Sequence, residues 1–136
     1  MAQIDYRCDE CQKVIRAYVG QAAAGDRLRW CLSYRCPFCN SAMEMDGIDL
    51  PPEEYRNKII AEEGEWRISI PETGLQSKAK ILKALRKVLN LSIEEASTII
   101  KTFPYTSSGT KAEIFWLQKF LLSENIQSLV EKKHNN

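Results

Sequence analysis

The sequence predicts an α+β chain in two modules: a short β-hairpin clamped by cysteines at the front and a β-α-α-β-α-β unit at the back, joined by one helix. Three observations lead there. Four of the five cysteines form two C-x-x-C pairs, Cys8/Cys11 and Cys36/Cys39, with 24 residues between the pairs. Apolar residues alternate with period two in some stretches and recur at helical spacing in others. Charge shifts where the pattern shifts: residues 1–46 carry six basic and six acidic side chains, 47–76 three and seven, and 77–136 ten and five. The 136 residues sum to a net charge of +1, so composition alone points to neither nucleic acid nor an anionic membrane.

No apolar run approaches the ~20 residues of a membrane span. The opening residues, Met-Ala-Gln-Ile-Asp-Tyr-Arg-Cys, lack the basic and then apolar regions of a secretory signal. The expected location is the cytoplasm, where thiols stay reduced and paired cysteines hold a metal rather than disulfides.

Each element of the first module (residues 1–46) follows from its residues. A C-x-x-C turn presents two sulfurs to one ion, and two such turns complete the tetrahedral shell that zinc prefers. A shell of four cysteines leaves no position for water, so the expected site is structural rather than catalytic. Pro37, in Arg35-Cys36-Pro37-Phe38-Cys39-Asn40, suits a turn. Between the pairs come Val14, Ile15, Tyr18 and Val19, a turn at Ala24-Gly25-Asp26, and then Leu28, Trp30, Leu32 and Tyr34 alternating with polar or small residues. That is a hairpin. Cysteine knuckles at the outer ends of a hairpin resemble a zinc ribbon over residues 1–46. This half is poor in apolar residues, so the metal is expected to order it. Cys31 is left over as a small, partly buried residue, and His134 falls in the tail of residues 134–136. Arg16, Arg27, Arg29 and Arg35 with Tyr18, Trp30 and Tyr34 offer an alternative function, a basic and aromatic surface for RNA or single-stranded DNA. The module is neutral, however, and four thiolates on one zinc add about two negative charges, whereas nucleic-acid binding needs a net positive patch.

The linker (residues 47–64) reads as a helix. Asp49 or Leu50 lies near its cap, proline occupies the first turn, and Glu53 and Glu54 suit the dipole. Tyr55, Ile59 and Ile60 supply one apolar stripe, and Gly64 stops the helix. Spacer and packed helix both stay open.

In the second module (residues 65–133), Trp66, Ile68 and Ile70 alternate as a strand ending at Pro71. Gly74 marks a loop and Ser77 a cap. Ile81, Leu82, Leu85, Val88 and Leu89 form an amphipathic helix face. Lys78, Lys80, Lys83, Arg86 and Lys87 project from its other faces, and Asn90 ends it. Ser92-Ile93-Glu94-Glu95 is a capping box opening a second helix to about Thr102, buried through Ile93, Ala96, Ile99 and Ile100. Thr106-Ser107-Ser108-Gly109 reads as a loop or short extended piece. Thr110-Lys111-Ala112-Glu113 is another capping box, for a third helix to about Glu124. A final strand is expected over Ile126–Val130.

This order, and above all the stretch from Lys78 to Ala96, resembles the C-terminal domain of the bacterial ribosomal stalk protein over residues 66–133. The resemblance implies a three-stranded antiparallel sheet covered by three helices. It also implies a domain that recruits a translational GTPase or a larger assembly through the basic first helix, here Lys78, Lys83, Arg86 and Lys87. The family's glycine-rich loop is Leu89-Asn90-Leu91-Ser92 here, Glu94 and Ser97 stand where lysines are expected, and the ribbon replaces the family's dimerisation and ribosome anchor. The third helix departs too: Ile114, Phe115, Trp116, Leu117, Phe120, Leu121 and Leu122 span more than one face. Trp116 and Phe120 are therefore candidates for packing against the ribbon, the linker helix or a second copy of the chain, or for partner contact. Leu91-Ser92-Ile93-Glu94-Glu95-Ala96 is also similar to a stretch of the adaptor that hands substrates to the Clp protease, but that family's histidine-bearing pocket has no counterpart here.

No catalytic set converges. There is no histidine in either module's body, no G-x-S-x-G and no phosphate-binding glycine loop. The expected function is a non-catalytic adaptor that holds structural zinc and docks a protein partner.

Overall fold

The computed structural model describes residues 1–71 and 77–134, save the side chain of Ile100. The chain is mixed α+β and divides into two compact units, Met1–Glu65 and Trp66–Asn136.

The first unit is a four-stranded antiparallel sheet in the order β1-β2-β3-β4, with one helix. Its strands are β1 (Ala2–Arg7), β2 (Val14–Ala24), β3 (Arg27–Arg35) and β4 (Ala42–Ile48), and its helix is α1 (Glu53–Glu63). The expected hairpin is β2–β3. Its two-residue turn opens on Gly25 at φ 66°, a left-handed position that costs glycine no side-chain clash. Beyond each cysteine turn the chain adds a strand that the sequence reading missed, so the turns are the β1–β2 and β3–β4 connections.

One face of the sheet is apolar. Ala2, Ile4, Ile15, Ala17, Val19, Leu32 and Tyr34 are buried there, and Val19 stands opposite both Ala2 and Leu32. The linker helix belongs to this unit. Ile59 of α1 joins the core, and Tyr55 meets the Trp30 ring edge-on at 5.8 Å. The helix cap is Pro52, with no side-chain hydrogen bond, rather than Asp49 or Leu50. Asp49 takes φ 69° and pairs with Arg27 at 3.3 Å instead.

Gly47 lies directly opposite Trp30, and a Cβ at Gly47 would run into the indole ring. Gly47→Ala is therefore expected to push Trp30 off its seat against Tyr55, destabilising the unit by about 1–3 kcal/mol. A quenched or shifted tryptophan emission and an earlier urea midpoint would report it; unchanged emission and midpoint would contradict it.

The second unit contains β5 (Trp66–Ile70), α2 (Lys78–Leu89), α3 (Ile93–Lys101), β6 (Tyr105–Gly109), α4 (Lys111–Ser123) and β7 (Leu129–Lys132). The three strands form an antiparallel sheet in the order β6-β5-β7. Local chemistry sets the helix ends. Ser77 accepts from the Lys80 amide, Asn90 closes α2 at φ 53°, and both capping boxes, Ser92/Glu95 and Thr110/Glu113, are formed. The core is Ile68, Ile70, Ile81, Leu85, Ile114, Leu117, Leu121 and Ile126.

Three details differ from expectation, the first being that Ile93, expected on the buried face of α3, is 75% exposed. Thr106–Gly109, read as a loop or short extended piece, is most of strand β6, because pairing with β5 outweighs its weak strand propensity. The last strand starts at Leu129, not Ile126; Asn125 at φ 61° turns the chain, and Ile126 is a core plug whose amide donates to Leu121 O at 2.8 Å. The loop predicted at Gly74 lies outside the described residues. Among the described residues, no helix is long and apolar enough to cross a membrane.

Candidate metal centre

The two cysteine turns are built alike. In the first, the Cys8 amide donates to Lys13 O and the Gln12 amide donates to Cys8 O, both at 2.9 Å. In the second, the Cys36 amide donates to Ser41 O at 2.8 Å and the Asn40 amide donates to Cys36 O at 2.9 Å. Gln12 and Asn40 occupy equivalent left-handed positions, φ 65° and 60°. Each turn thus folds its backbone around its own first cysteine and sends both sulfurs the same way.

The four sulfurs lie within 4.8 Å of one another, close enough to bind a single metal ion. Cys8 Sγ is 3.7 Å from Cys39 Sγ, and Cys11 Sγ is 3.6 Å from Cys36 Sγ. A tetrahedron with metal–sulfur bonds of ~2.3 Å has edges of about 3.8 Å. The donor set and these spacings fit zinc. All the cysteines are free thiols.

Cys8 and Cys36 are buried, Cys11 half-buried and Cys39 exposed. The sequence reading missed two supporting groups. The Ser41 hydroxyl lies 3.1 Å from Cys39 Sγ and 3.4 Å from Cys8 Sγ. The buried Tyr34 hydroxyl accepts from the Asp9 amide at 3.2 Å, tying the first turn to β3. Neither has a sequence signal beyond a polar residue near a cysteine pair. Lys13 Nζ sits 4.4 Å above the Phe38 ring, joining the two turns on the outside.

The same donors set the thiol acidities. Cys8 is pulled down to about 6, first by the Cys11 amide and then by the Ser41 hydroxyl. Cys39 is lowered by the Ser41 hydroxyl and then by its amide. Cys11 goes the other way, to about 11: the Lys13 amide draws it down, but burial and the neighbouring sulfurs outweigh it. In the metal-free chain the Cys8 shift therefore stabilises the fold fully above its ordinary value of 9.0, and that contribution vanishes as pH falls through about 6. Metal binding at neutral pH should displace fewer protons than at pH 5, as a pH-indicator titration can measure. A release independent of pH would contradict this.

Alkylation gives a second readout. With metal bound, iodoacetamide should modify only Cys31. After chelation Cys39, exposed and acidic, should react first and Cys11 last, as timed mass spectrometry would show. Five thiols reacting alike, with or without chelator, would rule out the cluster. Cys31 is half-buried opposite Gly20 and Asp46, outside the four-sulfur group.

The proposed nucleic-acid residues do not share one face. The register puts Arg16, Tyr18, Arg27, Arg29 and Arg35 on the open face of the sheet, and Trp30 and Tyr34 on the core face. Arg16 pairs with Asp5 at 3.3 Å. Of the aromatic residues named for stacking, only Tyr18 stands among the arginines.

In the second unit, Lys78, Lys83, Arg86 and Lys87 are all exposed on α2. Lys78 Nζ lies 5.7 Å from the Phe103 ring centre. Lys87 reaches Glu124 at 3.0 Å and sits over Phe120. Lys83 and Arg86 make no ion pair among the described residues, and they border a shallow groove floored by Leu82 and Leu91. Trp116 and Phe120 are half-buried against the core, whereas Phe115 and Leu122 are exposed.

Comparison with known proteins finds no family model, no curated protein and no solved structure that matches this chain.

Proposed function

We propose that the first unit is a zinc ribbon holding one structural zinc, and that the protein is a non-catalytic adaptor working in the reducing cytoplasm. The four-sulfur cluster carries this reading, because a shell filled by Cys8, Cys11, Cys36 and Cys39 leaves no open position for a substrate or an activated water. What such a centre supplies is rigidity. It fixes two turns and the strands that leave them.

The second unit, in this reading a stalk-like domain, docks a protein partner through α2. Lys83 and Arg86 support this because their charges are unspent and they flank apolar Leu82 and Leu91. Trp116 and Phe120, half-buried on α4, extend the proposed contact, with Phe120 beneath Lys87. A charge-reversed chain, Lys83→Glu with Arg86→Glu, tests the reading against the unaltered chain in a low-salt pull-down. The expected result is a protein retained by the unaltered chain and lost by the variant. Retention of nothing, or of the same proteins by both, would overturn it.

A further inference from the structure

The two edges of the four-stranded sheet are treated differently. The β1 edge is engaged at its start by α1. The Gln3 amide donates to the Glu62 carboxylate of α1 at 2.9 Å, and the terminal amine lies 3.6 Å from Glu63. Within the first unit the β4 edge is open, and among the described residues no strand pairs beyond it. In an antiparallel edge strand, alternate amide and carbonyl groups point outward without partners.

Edge strands are normally blunted by charged side chains, above all lysine, by proline or by a bulge; here the only charges are the acids Glu44 and Asp46, which repel acidic strands but not basic ones. Over Ala42–Ile48 there is no proline and no basic residue, and all seven residues pair in unbroken register with β3. The side chains also divide by chemistry. Glu44 and Asp46 stand on the open face, opposite Ser33 and Cys31, and make no ion pair among the described residues. Met43 and Met45 stand on the other face, Met45 38% exposed.

The charges disfavour self-pairing of this edge when it is centred on Met45 or on Glu44. A second copy pairing antiparallel about Met45 would set Glu44 opposite Asp46 of that copy. Pairing about Glu44 would set the two Glu44 side chains together. Like charges directly opposite are destabilising.

We propose that β4 is a strand-addition edge that recruits an extended basic segment of a partner protein. The segment carries Lys or Arg at alternate positions against Glu44 and Asp46, and apolar residues between them against Met43 and Met45. Backbone hydrogen bonds hold the segment, and the alternation sets its register. This surface lies in the first unit and is independent of docking through α2.

The test uses the full chain and a fluorescein-labelled Val-Lys-Val-Lys-Val-Lys-Val peptide. Two controls accompany it: the same peptide with Glu for Lys, and the Lys peptide N-methylated at alternate residues. Anisotropy should show binding of the Lys peptide alone, and hydrogen exchange should slow within residues 42–48. Glu44→Lys with Asp46→Lys, both at exposed positions, should weaken binding at least about tenfold while leaving metal content unchanged. The proposal is overturned by unchanged exchange at 42–48, by equal binding of the N-methylated peptide, or by concentration-dependent protection of 42–48 without peptide, which would mean self-pairing.

Discussion

Cys36→Ser is expected to empty the metal centre and unfold the cysteine-turn end of the first unit. Cys36 is fully buried, its sulfur is 3.6 Å from Cys11 Sγ, and its amide and carbonyl both hold its turn. Serine keeps the size but replaces a thiolate with a hydroxyl that stays protonated at neutral pH and is a poor zinc ligand. Loss of a supporting group around a zinc site already costs roughly 10–100-fold in affinity, and loss of a ligand must cost more. Structural zinc contributes ~10–16 kcal/mol of apparent folding energy. Forfeiting even a third of that removes on the order of 4 kcal/mol, comparable to the whole stability of a small domain. Metal analysis should give less than one zinc per chain, and hydrogen exchange should rise first around Asp9–Lys13 and Pro37–Ser41. Cys31→Ser, in contrast, should keep full metal content. Equal zinc in the two variants would contradict the assignment.

Leu121→Ala should cost the second unit about 2–5 kcal/mol. Leu121 is fully buried among Ile68, Ile81, Leu85, Leu117 and Ile126, and its carbonyl accepts the Ile126 amide that sets the turn into β7. The substitution leaves a cavity between α4 and the sheet. In a unit of this size, that cost lowers the melting temperature by roughly 10–30 °C. The four sulfurs belong to the other unit, so one metal per chain should remain and thiol reactivity should not change. Fragment-resolved hydrogen exchange checks both halves of the expectation. Metal loss in Leu121→Ala would mean that the units do not fold separately.

Most of the helices are legible because their ends are chemical. Ser77, Ser92 and Thr110 each cap a helix through bonds to the nearby backbone, and Asn90 can turn left-handed where α2 must stop. The cysteine spacing likewise brings four sulfurs together without knowledge of the rest of the fold. Strands β1 and β4 were harder to see. Gln3, Asp5, Glu44 and Asp46 dilute their alternation, and these strands form because β2 and β3 offer edges to pair with. The packing of α1 was also illegible: Ile59 and Tyr55 are an ordinary apolar pair until the sheet gives them a surface. Those additions give the first unit more core than its front half suggested, with Ala2 and Ile4 of β1 and Ile59 of α1 joining Val19 and Leu32. Metal loss should therefore loosen the turns before it melts the sheet. At the centre itself, Ser41 stayed hidden because its effect depends on where the second turn places a hydroxyl, 3.1 Å from Cys39 Sγ.

Native mass spectrometry of the full chain, purified without added metal, tests the central claim most directly. One zinc per chain is expected, lost on chelation together with the ordered amides of both cysteine turns. A metal-free mass from fresh material, with those amides equally protected before and after chelation, would contradict it.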